Sequence, residues 1–310
     1  VLLWRARRRA PRLGETLVVD GVSLHYLESG SGPPVVFLHG AKGSVYDAML
    51  SVGPELARRY RFVAFDRPGS GYSGRAPRHN GSPAVQADLI DSALRGLGVE
   101  RPVIVAHSTG AAVALALALA RPERVAAVVT LGGYVFSARR SGGHPGRILA
   151  VPVLGPLLRA TVVVPLGLAL APLVLRHVFA PGPVDAAYAR VATSLAVRPG
   201  HLAADSAEVA DVELGLRDLA PRYGELRVPL VAVHGLADEV VSSGQSVRLC
   251  QLAPDGELVL LDDAGHQPHF TRPDAILEAV DEAWRRAAAE ARGDERPTRR
   301  DRFDSPRPRG

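Results

Sequence analysis

Four short apolar runs constrain this chain more than any other feature: Val35–Leu38, Phe62–Phe65, Val103–Ala106 and Leu230–Val233. Each is continuously apolar rather than alternating, the pattern of a strand buried on both faces. Such strands need helices on both sides, and helix-like patterns separate them. Ala111–Ala120 follows the third run, and Ser246–Leu252 and Pro273–Ala289 come later. Val125–Leu131 and Leu258–Leu261 continue the alternation, while Leu17–Val19 and Val22–Leu27 flank Asp20-Gly21, a hairpin turn pair. The expected fold is α/β, with a mostly parallel sheet, helices on both faces and an antiparallel hairpin at its N-terminal edge.

From Gly133 to Val228 the alternation stops for about 95 residues, far longer than an ordinary crossover, so this segment must carry structure of its own. Helix-like stretches Ile148–Leu158, Val184–Ala196 and Ala204–Leu219 lie in it, separated by Pro and Gly. They read as a helical cap inserted between two core strands. The resulting division is a basic, disordered N-terminus over 1–15, a first core part over 16–134, the cap (lid) over 135–225, a second core part over 226–291 and a disordered tail over 292–310. Within the cap, Arg159 and Arg176 bracket 16 uncharged residues that include Pro165 and Pro172. A membrane span needs about 18 or more, so short lid helices are expected there.

The net charge of +5 is unevenly placed. Residues 1–12 hold five Arg and no acid, and residues 292–310 hold seven Arg and four acids, leaving the body between them at −3. An acidic body with basic tails does not fit a nucleic-acid-binding domain, and the tails read as solvated disorder. Peripheral membrane contact through the basic tails is possible but not expected. Cys250, the single cysteine, forms no internal disulfide and reads as a small core residue in a helix. Apolar Val1–Trp4 precedes Arg5–Arg9, the reverse of the order in a secretory signal. The expected location is the cytoplasm, with an N-terminal membrane anchor left open because the chain begins at Val rather than Met.

The strand Val103–Ala106 runs through His107 into Ser108, Thr109 and Gly110, and a helix starts at once. A serine on such a tight strand-to-helix turn is lifted clear of the backbone, and small residues two before and two after it let strand and helix approach. The pattern is G-x-S-x-G with Ala106 in place of the first Gly. The amides at the helix N-terminus favour a developing oxyanion. The plain alternative is that Ser108 serves only as a helix cap. A serine nucleophile needs a base, and the base an orienting acid. One strand ends in His234-Gly-Leu-Ala-Asp238 and another in Asp262-Asp-Ala-Gly-His266, both at C-terminal strand ends, where open α/β sheets carry their sites. The triad read from this is Ser108, Asp238 and His266. His269 is the alternative base, and Glu239 or Asp263 the alternative acid. Asp262, Asp263, His266 and His269 have no third-strand ligand set, so no metal and no cofactor are expected. The turn His39-Gly-Ala-Lys-Gly43 can aim the Ala41 amide opposite that of Thr109 to form an oxyanion hole. His39, Asp66 and Arg67 read as structural. Lys42, the sole lysine, reads as an exposed loop residue that can alternatively hold an acidic substrate group.

Together the segments Phe37-Leu-His-Gly40, Asp66-Arg-Pro-Gly-Ser-Gly-Tyr-Ser73, Ala106-His-Ser-Thr-Gly110, Gly235-Leu-Ala-Asp238 and Asp263-Ala-Gly-His266 resemble the α/β-hydrolase fold superfamily, and within it the prokaryotic monomeric branch with a helical cap. The resemblance covers about residues 16–290 and implies an α/β-hydrolase fold with an eight-stranded core, the triad above and a cap over the pocket. Relatives that open epoxides or displace halide use a carboxylate where this chain has Ser108. The expected reaction is therefore acyl transfer, cleaving an ester-type bond of a small, largely apolar substrate through an acyl-enzyme. A carbon–carbon bond hydrolase acting on a diketone is the alternative within the class. A non-catalytic apolar-ligand-binding protein and a membrane-surface lipase are the rivals outside it.

Overall fold

The computed structural model describes residues 8–76, 81–137, 159–196, 208 and 211–292. Its centre is one eight-stranded sheet in the order β1-β2-β4-β3-β5-β6-β7-β8. The strands are β1 (Glu15–Val19), β2 (Val22–Ser29), β3 (Pro34–Leu38), β4 (Arg61–Phe65), β5 (Val103–His107), β6 (Ala127–Leu131), β7 (Leu230–Gly235) and β8 (Gly256–Leu261). β1 and β2 form the antiparallel hairpin at one edge, with Asp20 and Gly21 both at positive φ in its turn. β2 joins β4 antiparallel, and every later pairing is parallel.

The continuous apolar runs are explained by two separate cores. Along β3, Val36 and Leu38 pack on one face while Val35 and Phe37 pack on the other, and β5 divides in the same way between Ile104 with Ala106 and Val103 with Val105. The first face is covered by α1 (Pro83–Gly96), α2 (Gly110–Ala120) and α5 (Gly244–Leu252). The second is covered chiefly by α6 (Pro273–Arg292), through Ile276, Val280 and Ala283. α2 is apolar all round, and every residue from Gly110 to Ala118 is buried, as a helix enclosed between sheet and neighbours requires.

The segment between β6 and β7 carries α3 (Val164–Phe179) and α4 (Ala186–Ala196), and residues 211–219 are helical. The stretch Ile148–Leu158 lies outside the described residues. α3 departs from the expected short lid helices. Pro165 falls in its first turn, and Pro172 sits inside a helix that continues through it. The C-terminal end is held by Phe179, fully buried against Tyr188 at 5.3 Å and Phe270 at 5.2 Å between ring centroids. Among the described residues no helix is long and apolar enough to cross a membrane.

β3 and α2 touch where the elbow forms. A Cβ on Gly110 would lie 2.6 Å from the carbonyl oxygens of both Leu38 and His39, so only glycine lets the helix start this close to the neighbouring strand. Gly110→Ala is expected to lower the unfolding free energy by about 2–3 kcal/mol through overpacking; urea denaturation of the variant with an unchanged midpoint would contradict this contact.

Candidate active site

Ser108 follows the last residue of β5 with φ +50°, a left-handed conformation that non-glycine residues rarely adopt. The strain is held by three contacts. Its N–H donates to the Leu131 carbonyl at 3.0 Å, its carbonyl accepts from the Tyr134 N–H at 3.0 Å, and Gly40 presses from the side, where a Cβ would come within 2.9 Å of the Ser108 Cβ. The hydroxyl is thereby turned out of the chain's path and toward the loop after β8. There His266 Nε2 lies 3.1 Å from Ser108 Oγ, and His266 Nδ1 lies 2.8 Å from Asp238 Oδ2. All three side chains are nearly excluded from water. The structure thus brings Ser108, His266 and Asp238 into one hydrogen-bonded line, from loops at the C-terminal ends of β5, β8 and β7.

The carboxylate of Asp238 is oriented on both oxygens. Oδ1 accepts the amides of Val240 at 2.8 Å and Val241 at 2.9 Å, and Oδ2 accepts from His266 and, at 3.2 Å, from His234 Nε2. Burial pushes its pKa up, but the hydrogen bonds from His234 and His266 outweigh burial and hold it well below the ordinary carboxylate range. His234 is itself fixed: Nε2 also donates to the Val241 carbonyl at 2.9 Å, so Nδ1 accepts from the Ser246 hydroxyl at 2.7 Å. An ionised Asp238 keeps the His266 proton on Nδ1 and leaves Nε2 free to accept from Ser108. The other candidate acids are engaged elsewhere, Glu239 with His177 and Asp263 with Arg272.

Glycines bring the loops this close. A Cβ on Gly132, at φ +51°, would lie 3.3 Å from both Asp238 Oδ2 and His266 Nδ1, and one on Gly265 would meet the Ala180 carbonyl at 1.8 Å. The main chain beside His266 therefore touches the end of α3 directly.

His269, the alternative base, does not reach Ser108. It is fully buried, its ring tilted against those of His107 at 4.7 Å and Phe270 at 4.9 Å, and among the described residues neither ring nitrogen has a hydrogen-bond partner. Burial drives its pKa down to about 3. His107 lies between the two, 4.8 Å from the His266 ring, and its Nε2 donates to the His266 carbonyl at 2.8 Å. Burial holds His107 well below the ordinary histidine range. The neutral ring supports His266 from below without adding charge.

The amides of Ala41 and Thr109 flank Gly40 and Ser108, and among the described residues neither donates to a backbone carbonyl. The His39 side chain shapes this turn: Nδ1 donates to the Gly40 carbonyl at 2.7 Å and Nε2 accepts the Arg67 amide at 2.9 Å. Lys42 is exposed, at φ +60°. Asp66 holds the loop together, accepting from the amides of Val45 at 2.8 Å and Tyr72 at 2.7 Å.

Arg67 reaches further than its sequence context suggests. It is completely buried, and its guanidinium binds the His39 carbonyl at 2.7 Å, Gln86 at 2.8 Å, Thr109 Oγ1 at 3.1 Å and Glu208 Oε1 at 2.5 Å. Thr109 Oγ1 in turn donates to Glu208 Oε1 at 3.2 Å. A carboxylate from the long segment between β6 and β7 is thus bonded to the side chain that follows Ser108. Nothing in the sequence marks Glu208, which is 141 residues from its arginine.

Comparison with known proteins places these features in context. The family model described as alpha/beta hydrolase fold matches residues 33–146. A 2-hydroxymuconate semialdehyde hydrolase of Pseudomonas sp. (strain CF600) is 33% identical over 129 residues, 41% of this chain, which spans 46% of that protein. A 2-hydroxy-6-oxononadienedioate/2-hydroxy-6-oxononatrienedioate hydrolase of Dechloromonas aromatica (strain RCB) is 27% identical over 84% of this chain and 89% of its own length. Among solved structures, the meta-cleavage product hydrolase CumD of Pseudomonas fluorescens IP01 superposes with a TM-score of 0.69 and 25% identity, covering 89% of this chain and 99% of that one.

Two stability measurements follow from the buried groups. His269 has a folded pKa below its unfolded value of about 6.5, so the unfolded chain takes up a proton first and stability falls as pH drops below that value. Replacing the unpartnered imidazole by His269→Phe is expected to widen the stability difference from wild type by about 2 kcal/mol between pH 7 and pH 5; a gap independent of pH in urea titrations would refute the assignment. Glu208→Gln leaves the Arg67 charge buried without its counter-charge and is expected to cost about 3 kcal/mol. A double-mutant cycle with Arg67→Met should give a coupling above about 1 kcal/mol, and strict additivity would show that the pair does not interact.

Proposed function

The chain belongs to the α/β-hydrolase fold superfamily, and from that premise we propose that it is a serine-dependent hydrolase that cleaves a carbon–carbon bond beside a ketone. The observation that carries the hydrolase reading is the unbroken line Ser108 Oγ, His266 Nε2, His266 Nδ1, Asp238 Oδ2, with steps of 3.1 and 2.8 Å. Support for the bond class comes from the 2-hydroxy-6-oxo-dienoate type hydrolases that match 80–84% of this chain. The reading from residue types alone put an ester first; these full-length relatives favour the diketone.

The chemistry of the first step is common to both. His266 removes the Ser108 proton as Oγ attacks the ketone carbon, and Asp238 steadies the imidazolium that forms. The amides of Ala41 and Thr109 receive the oxyanion. When the tetrahedral adduct collapses, the carbon–carbon bond breaks and its electron pair moves onto a second, conjugated carbonyl, which makes carbon an acceptable leaving group. His266 returns the proton to that fragment, which leaves as a ketone. Water, deprotonated by His266, then attacks the acyl-serine, releasing a carboxylic acid and restoring the Ser108 hydroxyl. The net reaction is diketone plus water to ketone plus acid. With an ester, the alkoxide takes the proton in place of carbon. The segment between β6 and β7 serves as the cap over this site, and its Leu- and Val-rich helix suits an apolar substituent. Lys42, at the rim beside Ala41, holds a carboxylate of the substrate.

The test is turnover of 2-hydroxy-6-oxo-6-phenylhexa-2,4-dienoate, followed by the loss of its conjugated absorbance, against a p-nitrophenyl ester chain-length series. Dienoate turnover is expected to exceed ester turnover in kcat/KM, and Ser108→Ala to lower it by at least about 10⁴-fold. Lys42→Ala is expected to raise KM for the dienoate about tenfold, with a smaller effect on neutral esters. Ester turnover alone would overturn the bond class. Absence of both activities, with no fluorophosphonate labelling of Ser108, would remove the enzyme.

A further inference from the structure

The two amides proposed to receive the oxyanion come from separate turns, and one side chain is bonded to both turns. Ala41 lies just after β3 and Thr109 just after β5. Arg67 Nε donates to the His39 carbonyl at 2.7 Å, two residues before Ala41. Arg67 Nη2 donates to Thr109 Oγ1 at 3.1 Å. The Arg67 amide also donates to His39 Nε2 at 2.9 Å, and His39 Nδ1 donates to the Gly40 carbonyl at 2.7 Å. A guanidinium is planar and rigid, with its donors in a fixed fork. It therefore ties the two turns together at a set spacing.

The Thr109 hydroxyl is engaged twice. It accepts from Arg67 Nη2 and donates to Glu208 Oε1 at 3.2 Å, and Nη2 lies 2.5 Å from that same carboxylate oxygen. Arg67 and Glu208 are 0% and 3% exposed. Hydrogen bonds to ionised groups are the strong ones, and burial strengthens them further. Threonine is branched at Cβ, so fixing Oγ1 fixes the whole side chain about its Cα–Cβ bond. The Thr109 N–H belongs to the peptide that joins this residue to Ser108, which is held at φ +50°. A small rotation there swings the amide away from the serine hydroxyl's target.

Charge compensation alone does not require this arrangement. A carboxylate neutralises a guanidinium from any side of its fork, and here Nη1 and Nε are already taken by Gln86 and the His39 carbonyl. Glu208 meets the nitrogen that also holds Thr109. The segment between β6 and β7 has other anchorage on the core. Asp211 accepts the Gly81 amide at 3.0 Å, and Val212 and Leu216 pack with Ala112 of α2. Glu208 is the contact of this segment that reaches the Thr109 side chain.

We propose that Glu208 and Arg67 are positioning residues for the reaction at Ser108: through the Thr109 hydroxyl they hold the Thr109 amide where it receives the oxyanion. The inference rests on the serine-hydrolase reading above. Neither side chain takes part in the bond changes. Donors aimed in advance at a developing charge need no rearrangement when it forms, and that aim depends on the groups that lock them. An interaction that matters only as the oxyanion develops acts on the chemical step and leaves substrate binding nearly untouched.

The test is the rate at which a fluorophosphonate modifies Ser108 in the full chain, because the probe sets an oxygen in the oxyanion site whatever bond the natural substrate carries. Thr109→Val keeps the amide and the shape but removes the hydroxyl; it is expected to slow labelling about tenfold, and Thr109→Ser to retain the wild-type rate. Glu208→Gln is expected to slow labelling as much in the wild-type chain but by less than about twofold in the Thr109→Val chain, where the route is already cut. Glu208→Asp, which keeps the counter-charge of Arg67 one methylene short of Thr109, gives the same pattern in a chain whose fold is less disturbed. On a substrate that turns over, kcat falls and KM stays within about twofold. Asp211→Asn loosens the same segment away from Thr109 and is expected to label at the wild-type rate; circular dichroism checks the fold of each variant. Labelling of Thr109→Val at the wild-type rate, equal slowing by the Glu208 variants in both backgrounds, or equal slowing by Asp211→Asn overturns the positioning role and leaves the hydrolase standing. A wild-type chain that the probe does not label overturns the hydrolase reading and this inference with it.

Discussion

The site rests on a backbone conformation that costs energy. Ser108 sits at φ +50° because a strand must end, present a hydroxyl and begin a helix within three residues. Such a conformation persists only where its surroundings over-determine it. Here the Leu131 carbonyl and the Tyr134 amide hold the serine from β6, Gly40 closes in from β3, and Gly110 lets α2 begin beneath the β3 carbonyls. Larger side chains at either glycine would separate the strands that hold the serine in place. The modest departure at Ala106 fits the same frame: that residue is buried on the α2 side of the sheet, where a methyl group is accommodated.

Electrostatics are arranged in layers behind the hydroxyl. Asp238 keeps its charge although buried, because two amides and two imidazoles address its oxygens. The next layer is neutral. His107 and His269 are held uncharged by burial, so among the described residues Asp238 is the charged group bonded to the His266 ring. His107 also ties its ring to the His266 carbonyl, which couples the end of β5 to the loop after β8 through the residue just before the serine.

Local signals in the sequence revealed the strands, the elbow and the three residues that the structure brings into one hydrogen-bonded line, because each depends on a short pattern: apolar runs, a serine between small residues, and an acid or histidine just past a strand end. The hairpin was equally legible from Asp20-Gly21. What stayed hidden depends on contacts between distant segments. The order β4-β3 within the sheet, the support of His266 by His107 and the bond from Arg67 to Glu208 follow from packing that no window of residues contains. Arg67 read as a turn residue because its turn motif is what the local sequence shows; its guanidinium is directed by the fold. The stretch 160–175 was legible as apolar, but periodicity alone does not say which of its leucines face outward, and its two prolines suggested breaks that the helix bridges.

The contact between Glu208 and Thr109 gives the long insertion a part in the site's geometry. On the core side Arg67 is held by the His39 carbonyl and Gln86. When Glu208 is present it completes the charge pairing of a fully buried guanidinium and draws the Thr109 hydroxyl to itself. The Thr109 amide is one of the two groups proposed to receive an oxyanion. Movement of the insertion that withdraws Glu208 therefore leaves an uncompensated buried charge beside that amide and releases the side chain that fixes it. One ion pair thus joins the insertion to the side chain that follows Ser108.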